Sequence, residues 1–235
     1  MKHAIKSVVL GLSLLLANGS IAYAQDLRKG VEAAHKGDYA TALNEWRPLA
    51  AQGNAVAQYN LGLMYYNGDG VTQNYKEAER LYNLSGAQGN ASAQYYLGSM
   101  YYNGDGVTQD YAEAAKWLRL AAIQGTADAQ IILGILCDNG WGVPQDYKEA
   151  VKWYRLAAEQ ENADAQSNLG VMYVKGQSVI QNNVYAHMWF NIAASSGSAA
   201  ALTNRDIVAG KMTAADISKA QDLARACVQK NYKGC

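Results

Sequence analysis

The chain has 235 residues with Lys plus Arg equal to Asp plus Glu, twenty of each, so no global basic field gathers nucleic acid or anionic lipid. Two prolines and abundant alanine favour helix. The three cysteines form no Cys-x-x-Cys pair and lie near no histidine cluster, which argues against a structural zinc site and leaves a disulfide as the better expectation.

At the N-terminus Lys2 and Lys6 precede an uncharged apolar run from Val8 to Ala17, and small residues lead to Ala22-Tyr23-Ala24. This pattern predicts a signal peptide over residues 1–24, cleaved after Ala24. The apolar run is about ten residues, shorter than the roughly 20 that span a bilayer, and no later run is comparable. No cysteine follows it where a lipoprotein would be acylated. The expected mature chain has no integral membrane segment and resides in the periplasm or is secreted. Residues 25–52 then predict an N-terminal capping hairpin, with Leu27 to Lys36 as one helix, a Gly37-Asp38-Tyr39 turn, and Ala42 to Ala51 as the other.

From residue 53 to 196 the chain repeats with a period of 36. Ala57-Gln58-Tyr59-Asn60-Leu61-Gly62-Leu63-Met64-Tyr65 returns as Ala93 to Tyr101, Ala129 to Cys137 and Ala165 to Tyr173. A second block follows each: Tyr75 to Gln88, Tyr111 to Gln124, Tyr147 to Gln160, and the more divergent Asn183 to Ser196. Ala57, Leu61, Met64 and Tyr65 share one helical stripe, as do Ala78, Tyr82 and Ser85 in the second block. Each repeat therefore predicts a helical hairpin, its small residues permitting close approach. The intervening Asn67-Gly68-Asp69-Gly70 reads as a helix-ending turn. It lacks the alternating oxygen ladder and closing glutamate of a calcium loop. A lone hairpin cannot bury its apolar face, so the hairpins must stack, giving a curved ribbon with one concave wall.

Residues 197–235 predict C-terminal capping helices, one of them beginning at Thr213 with Asp216 three positions on. Asn231-Tyr232-Lys233-Gly234 could leave that helix and bring Cys235 back to Cys227. A disulfide there would contribute roughly 2.5 kcal/mol. Cys137 replaces the tyrosine of the other repeats and reads as a buried free thiol, while Trp117, Trp153 and Trp189 recur at one position and read as hairpin packing.

The AxxxLGxxY block, the glycine-rich turn and the YxxAxxW or YxxAxxL second block resemble Sel1-like repeats, which are related to tetratricopeptide repeats. The resemblance covers about two thirds of the chain as clear repeats. It implies an all-α fold, a right-handed superhelical solenoid of antiparallel helix hairpins, and a role as an adaptor holding a protein or peptide partner on its concave face. It implies no catalytic residue, metal or cofactor. Repeat four departs from the pattern, with Ser178 at the Gly70 position and Asn183 at the Tyr75 position, which puts its turn geometry in question.

The alternative is a cell-wall or β-lactam hydrolase, because some cysteine-rich relatives are described as penicillin-binding or weakly β-lactamase-like. The sequence contains no Ser-x-x-Lys or Lys-Thr-Gly string, its repeats lack paired cysteines, and only His35 and His187 remain after cleavage. For a binding role, the candidates are first-helix residues off the buried stripe: Tyr59, Asn60, Tyr66, Tyr95, Tyr96, Tyr102 and Asp138. These positions vary between repeats while the stripe does not, as a recognition surface would. The competing reading is that the tyrosines only seal adjacent hairpins.

Overall fold

The computed structural model describes residues 26–235, and the expected signal peptide lies outside the described residues. Among the described residues all regular structure is helical. Helix α1 (26–35) and α2 (Tyr39–Ala51) are followed by α3 (Ala55–Asn67), α4 (Tyr75–Ala87), α5 (Ala91–Asn103), α6 (Tyr111–Ile123), α7 (Ala127–Asn139), α8 (Tyr147–Ala158), α9 (Ala163–Lys175), α10 (Asn183–Ser195), α11 (Ala199–Ala209) and α12 (Ala214–Gln229). The fold class expected from the repeats, all-α with recurring helix hairpins, is the one observed. The chain divides into two compact units whose boundary falls within α5. The first runs to Leu97 and includes Asp105–Val107; the second holds Gly98–Gly104 and everything from Thr108.

Local chemistry sets the helix ends. Asn74, Asp110, Asp146 and Asn182 each cap a second helix, the side-chain oxygen accepting from backbone N–H groups of its first turn. The preceding loop is closed in the same way each time: Gln73, Gln109, Gln145 and Gln181 donate Nε2 to the carbonyls of Tyr66, Tyr102, Asp138 and Val174, at 2.8, 2.8, 2.8 and 2.9 Å. The recurrent glutamine thus holds the glycine-rich turn together. In repeat four Ser178 adopts φ 57°, close to the 66° of Gly70. The turn questioned from the sequence therefore keeps its geometry, although a left-handed conformation costs a non-glycine residue roughly 1–2 kcal/mol.

Within each hairpin the glycine of the first helix is a seat for a large residue of the second. A Cβ added at Gly62 would lie 2.7 Å from the Tyr82 ring, one at Gly134 2.5 Å from Tyr154, and one at Gly170 2.6 Å from Phe190; at Gly98 it would meet Leu118 at 2.6 Å. Tyr82, Leu118, Tyr154 and Phe190 are all buried. The N-terminal hairpin repeats the device with Gly30 beneath Trp46, whose indole donates to the Leu27 carbonyl at 3.3 Å.

Between successive repeats the joint is polar. Gln58, Gln94, Gln130 and Gln166 are buried and donate Nε2 to the carbonyls of Ala50, Gly86, Ala122 and Ala158, near the end of the preceding second helix. Each of those carbonyls also accepts from a backbone N–H of the following turn, of Gly53, Gly89, Gly125 and Glu161 respectively, so the side chain adds a second hydrogen bond to the same buried acceptor. The amide oxygen is satisfied in turn: Gln88 donates to Gln58 Oε1 at 2.8 Å and Gln160 to Gln130 Oε1 at 2.9 Å. Ser196 occupies the corresponding place in repeat four, and Gln166 Oε1 is buried without a partner among the described residues.

The divergence of the fourth second helix has a structural cause. Helix α12 packs on α10, and Tyr185, Met188, Ile192 and Ser195 of α10 line the clefts it forms with Leu223, Ala224, Cys227 and Val228. Ile192 is 2% exposed, whereas Leu84, Leu120 and Leu156 at the same repeat position are 41, 43 and 36% exposed. In α10 that stripe is therefore buried, and Met188 and Ile192 stand where α8 has Lys152 and Leu156. Beyond α12 the chain reverses through Asn231 and Tyr232, both with positive φ, and Cys235 is paired with Cys227 at a Cα separation of 5.7 Å. Cys137 is buried and unpaired.

Two substitutions test this packing. Ser196→Gln restores the missing donor and is expected to stabilise the fold by about 1 kcal/mol in denaturant titration. Gly134→Ala drives a methyl into the buried Tyr154 ring; overpacking outweighs the gain in helix propensity, for an expected net loss of about 1–2 kcal/mol.

Candidate partner-binding surface

In the first unit the first-helix tyrosines converge on one residue that the sequence had placed in the core. Tyr82 of α4, seated on Gly62, is fully buried, and Tyr96 stacks on it with ring centroids 5.4 Å apart and planes at 21°. Tyr59 lies 6.1 Å from Tyr82 and 5.9 Å from Tyr96, and Tyr66 lies 6.4 and 6.1 Å from the same two rings. Tyr95 meets Tyr96 edge-on at 5.3 Å, and Tyr66 meets Tyr75 edge-on at 5.2 Å. These offset and edge-to-face arrangements are the favourable ones for aromatic pairs. Tyr59, Tyr66, Tyr95 and Tyr96 are each half-buried, so the cluster both packs α3 against α5 and leaves ring area accessible.

The loop segment Asp105–Val107 completes this cluster. Tyr66 donates its hydroxyl to Asp105 Oδ2 at 3.0 Å, and the backbone at Gly106 lies so close to Tyr75 that a Cβ there would meet it at 2.0 Å. Burial, reinforced by the hydrogen bond to Asp105, pushes the Tyr66 phenol up to about 12. Burial, together with the neighbouring Tyr59, Tyr96 and Tyr66 phenols, drives Tyr82 further in the same direction, its hydroxyl having no hydrogen-bond partner among the described residues. Neither α3 nor α5 contains an Asp, Glu, Lys or Arg. In the same unit α4 carries Lys76 and Arg80, the latter donating to Glu77 at 2.6 Å.

The remaining candidates lie elsewhere. Asn60 is half-exposed on α3. Tyr102 belongs to the second unit, where it meets Tyr111 at 5.6 Å, and Tyr111 stacks on the exposed Trp141 at 5.3 Å. Asp138 is half-buried on α7; burial raises its carboxyl pKa, and Lys175 opposes the shift. Four of the seven candidates, Tyr59, Tyr66, Tyr95 and Tyr96, meet in the first unit, with Tyr75, Tyr82 and Asp105 as members that the reading of the first helices missed. The period itself held a signal for Asp105, since Asp69, Asp105 and Trp141 share a position and Trp141 also contacts a ring.

Ionisable groups elsewhere in the second unit serve packing. Arg119 of α6 pairs with Glu149 of α8, whose Oε1 also accepts from Trp153 Nε1 at 3.1 Å. Beside this pair, burial pushes the Cys137 thiol up to about 11, so it stays protonated at neutral pH. Among the described residues no three His, Cys, Asp or Glu side chains are grouped so as to hold a metal ion, and no helix is long and apolar enough to cross a membrane.

Comparison with known proteins identifies the repeat family. The family described as Sel1 repeat matches residues 55–90, 91–126, 127–162 and 163–198. Among solved structures, c5321 of uropathogenic Escherichia coli, described as a protective antigen displaying an SLR fold, superposes with a TM-score of 0.80 and 32% identity over 89% of this chain. The alignment covers 47% of c5321, so the chain spans about half the length of that antigen. A Sel1 repeat protein from Oxalobacter formigenes superposes with a TM-score of 0.68 and 31% identity, covering 84% of this chain and 74% of its own. No curated protein matches.

The buried phenols make a spectroscopic prediction. Phenolate absorbance should show one tyrosine titrating near 12 in the folded protein, a step that disappears in Tyr66→Phe. Because this pKa is raised above the unfolded value of about 10, the associated stability is complete below pH ~10 and is lost as the pH rises from there towards the folded value.

Proposed function

This chain belongs to the Sel1 repeat family, and on that premise we propose that it is an exported scaffold that holds a protein partner in the bacterial envelope or outside the cell. The observation that carries the reading is the half-exposed tyrosine cluster on α3 and α5, two helices without a charged side chain, built on a frame whose packing residues recur from repeat to repeat. Tyrosine provides large contact area with few rotatable bonds, and rings already locked against one another lose little entropy when a partner arrives. Tyr59, Tyr66, Tyr95 and Tyr96 form the centre of the surface, and Asn60 lies beside it on α3. Tyr102 and Asp138 lie on the second unit, both close to the buried Tyr154. The leader expected over residues 1–24 supports export, and so does the description of c5321 as a protective antigen.

Asn60→Arg places a charge on this surface without touching Tyr82. It is expected to abolish capture of the envelope partner in a pull-down while leaving helicity and the melting midpoint unchanged; undiminished capture in both Asn60→Arg and Tyr95→Ala would overturn the assignment. Fractionation tests export separately, a cytoplasmic location being the adverse result.

A further inference from the structure

We infer that His187 is an acid-responsive catch on the C-terminal helix α11, whose hold on α10 is released when the imidazole takes up a proton. The device lies in the second unit and goes beyond the scaffold reading, since it does not use the tyrosine surface of the first. In the other two hairpins of the second unit the same repeat position holds Ala115 and Val151, both buried, so the slot is apolar there. In α10 it holds a histidine that is 2% exposed, with Nδ1 buried and without a hydrogen-bond partner among the described residues. A neutral imidazole occupies such a slot at modest cost, whereas an imidazolium brings a charge and a second N–H donor into it.

The neighbouring charges do not offset that cost. Helix α11 brings Arg205 and Asp206 towards the ring, and they act in opposite senses, the guanidinium against protonation and the carboxylate for it. Arg205 reaches α10 one turn beyond His187, where it donates to Asn191 Oδ1 at 3.4 Å, while the exposed Asp206 already accepts from Arg205 at 2.8 Å. Of the other helices packed on α10, α9 carries Asp164 and Lys175 and α12 carries Asp216, Lys219, Asp222 and Arg225, none of which acts on the ring; the Tyr173 ring of α9 stacks instead on Tyr185. Burial therefore holds the imidazole below its ordinary value of 6.5, and Arg205 adds to the shift. With the folded value depressed, the stability tied to His187 is complete above the unfolded value of ~6.5 and is lost as the pH falls through the folded one.

Helix α11 is the element that gives way, because it is lightly anchored. Of its 11 residues only Ala201 and Val208 are buried, and the following helix α12 is packed on α10 rather than on α11. Opening α11 hydrates the imidazolium at small cost in apolar burial, and α10 stays held by α9 and α12.

The test uses the full chain. Histidine-ring NMR should place the His187 midpoint below 6.5. On acidification from pH ~7.5 to ~5, the melting midpoint read by circular dichroism should fall by ~2 °C more in the wild type than in His187→Val. His187→Gln, neutral and close in size to histidine, serves in the same comparison should the valine variant not fold. His35→Gln, on the exposed side of α1, should keep the wild-type difference. Amide exchange, corrected for its intrinsic pH dependence, should rise several-fold in α11 on the same acidification and not in α7 or α8, and the rise should be missing from the His187 variant. An imidazole midpoint at or above 6.5, equal pH dependence of the wild type and a folded His187 variant, or acid-induced exchange spread evenly from α7 to α11 overturns the inference.

Discussion

The structure depends on how closely the two helices of a hairpin approach. Each first helix presents a glycine, and each second helix sets a buried ring or leucine upon it: Gly62 under Tyr82, Gly98 under Leu118, Gly134 under Tyr154, Gly170 under Phe190. An added methyl would come within 3 Å of the seated side chain at every one of these places, so the interaxial distance follows from the missing Cβ. Once that distance is set, the alanines of both helices, such as Ala57 and Ala78, are buried and the hairpin behaves as a rigid block.

Rigid blocks still have to be joined, and here polar chemistry does what apolar contact alone does not. The buried glutamine of each first helix donates to a carbonyl near the end of the preceding second helix, adding to the turn N–H that this carbonyl already accepts. Hydrogen bonds are directional, so this contact specifies the register of one repeat on the next as well as stabilising it. The weakest version is in repeat four, where Ser196 leaves Gln166 Oε1 unsatisfied, and there α12 supplies additional apolar burial through Met188 and Ile192.

The tyrosine cluster is a product of the same architecture. Tyr82 occupies the glycine seat with a ring, Tyr96 stacks upon it, and Tyr59 and Tyr66 complete the group from α3. Packing does not use up these residues: rings that seal α3 against α5 on one side remain half-exposed on the other. That arrangement supplies a preorganised aromatic surface in the first unit, while the third repeat carries Ile131 in place of Tyr59 and Asp138 in place of Tyr66.

The 36-residue period, the helical stripes and the turn residues were enough to establish helices and hairpins, because helix periodicity, capping and loop closure are local: Asn74 caps Glu77 and Gln73 reaches Tyr66 within a few residues. The same reasoning placed Tyr59, Tyr66, Tyr95 and Tyr96 off the buried stripe, and it left open whether they meet. Only the tertiary structure decided that they meet around Tyr82, that Asp105 joins them from 39 residues beyond Tyr66, and that α12 lies on α10. Those contacts depend on the angle and rise between successive hairpins, which follow from many small packing terms spread over the repeat and are not encoded in the spacing of any one motif.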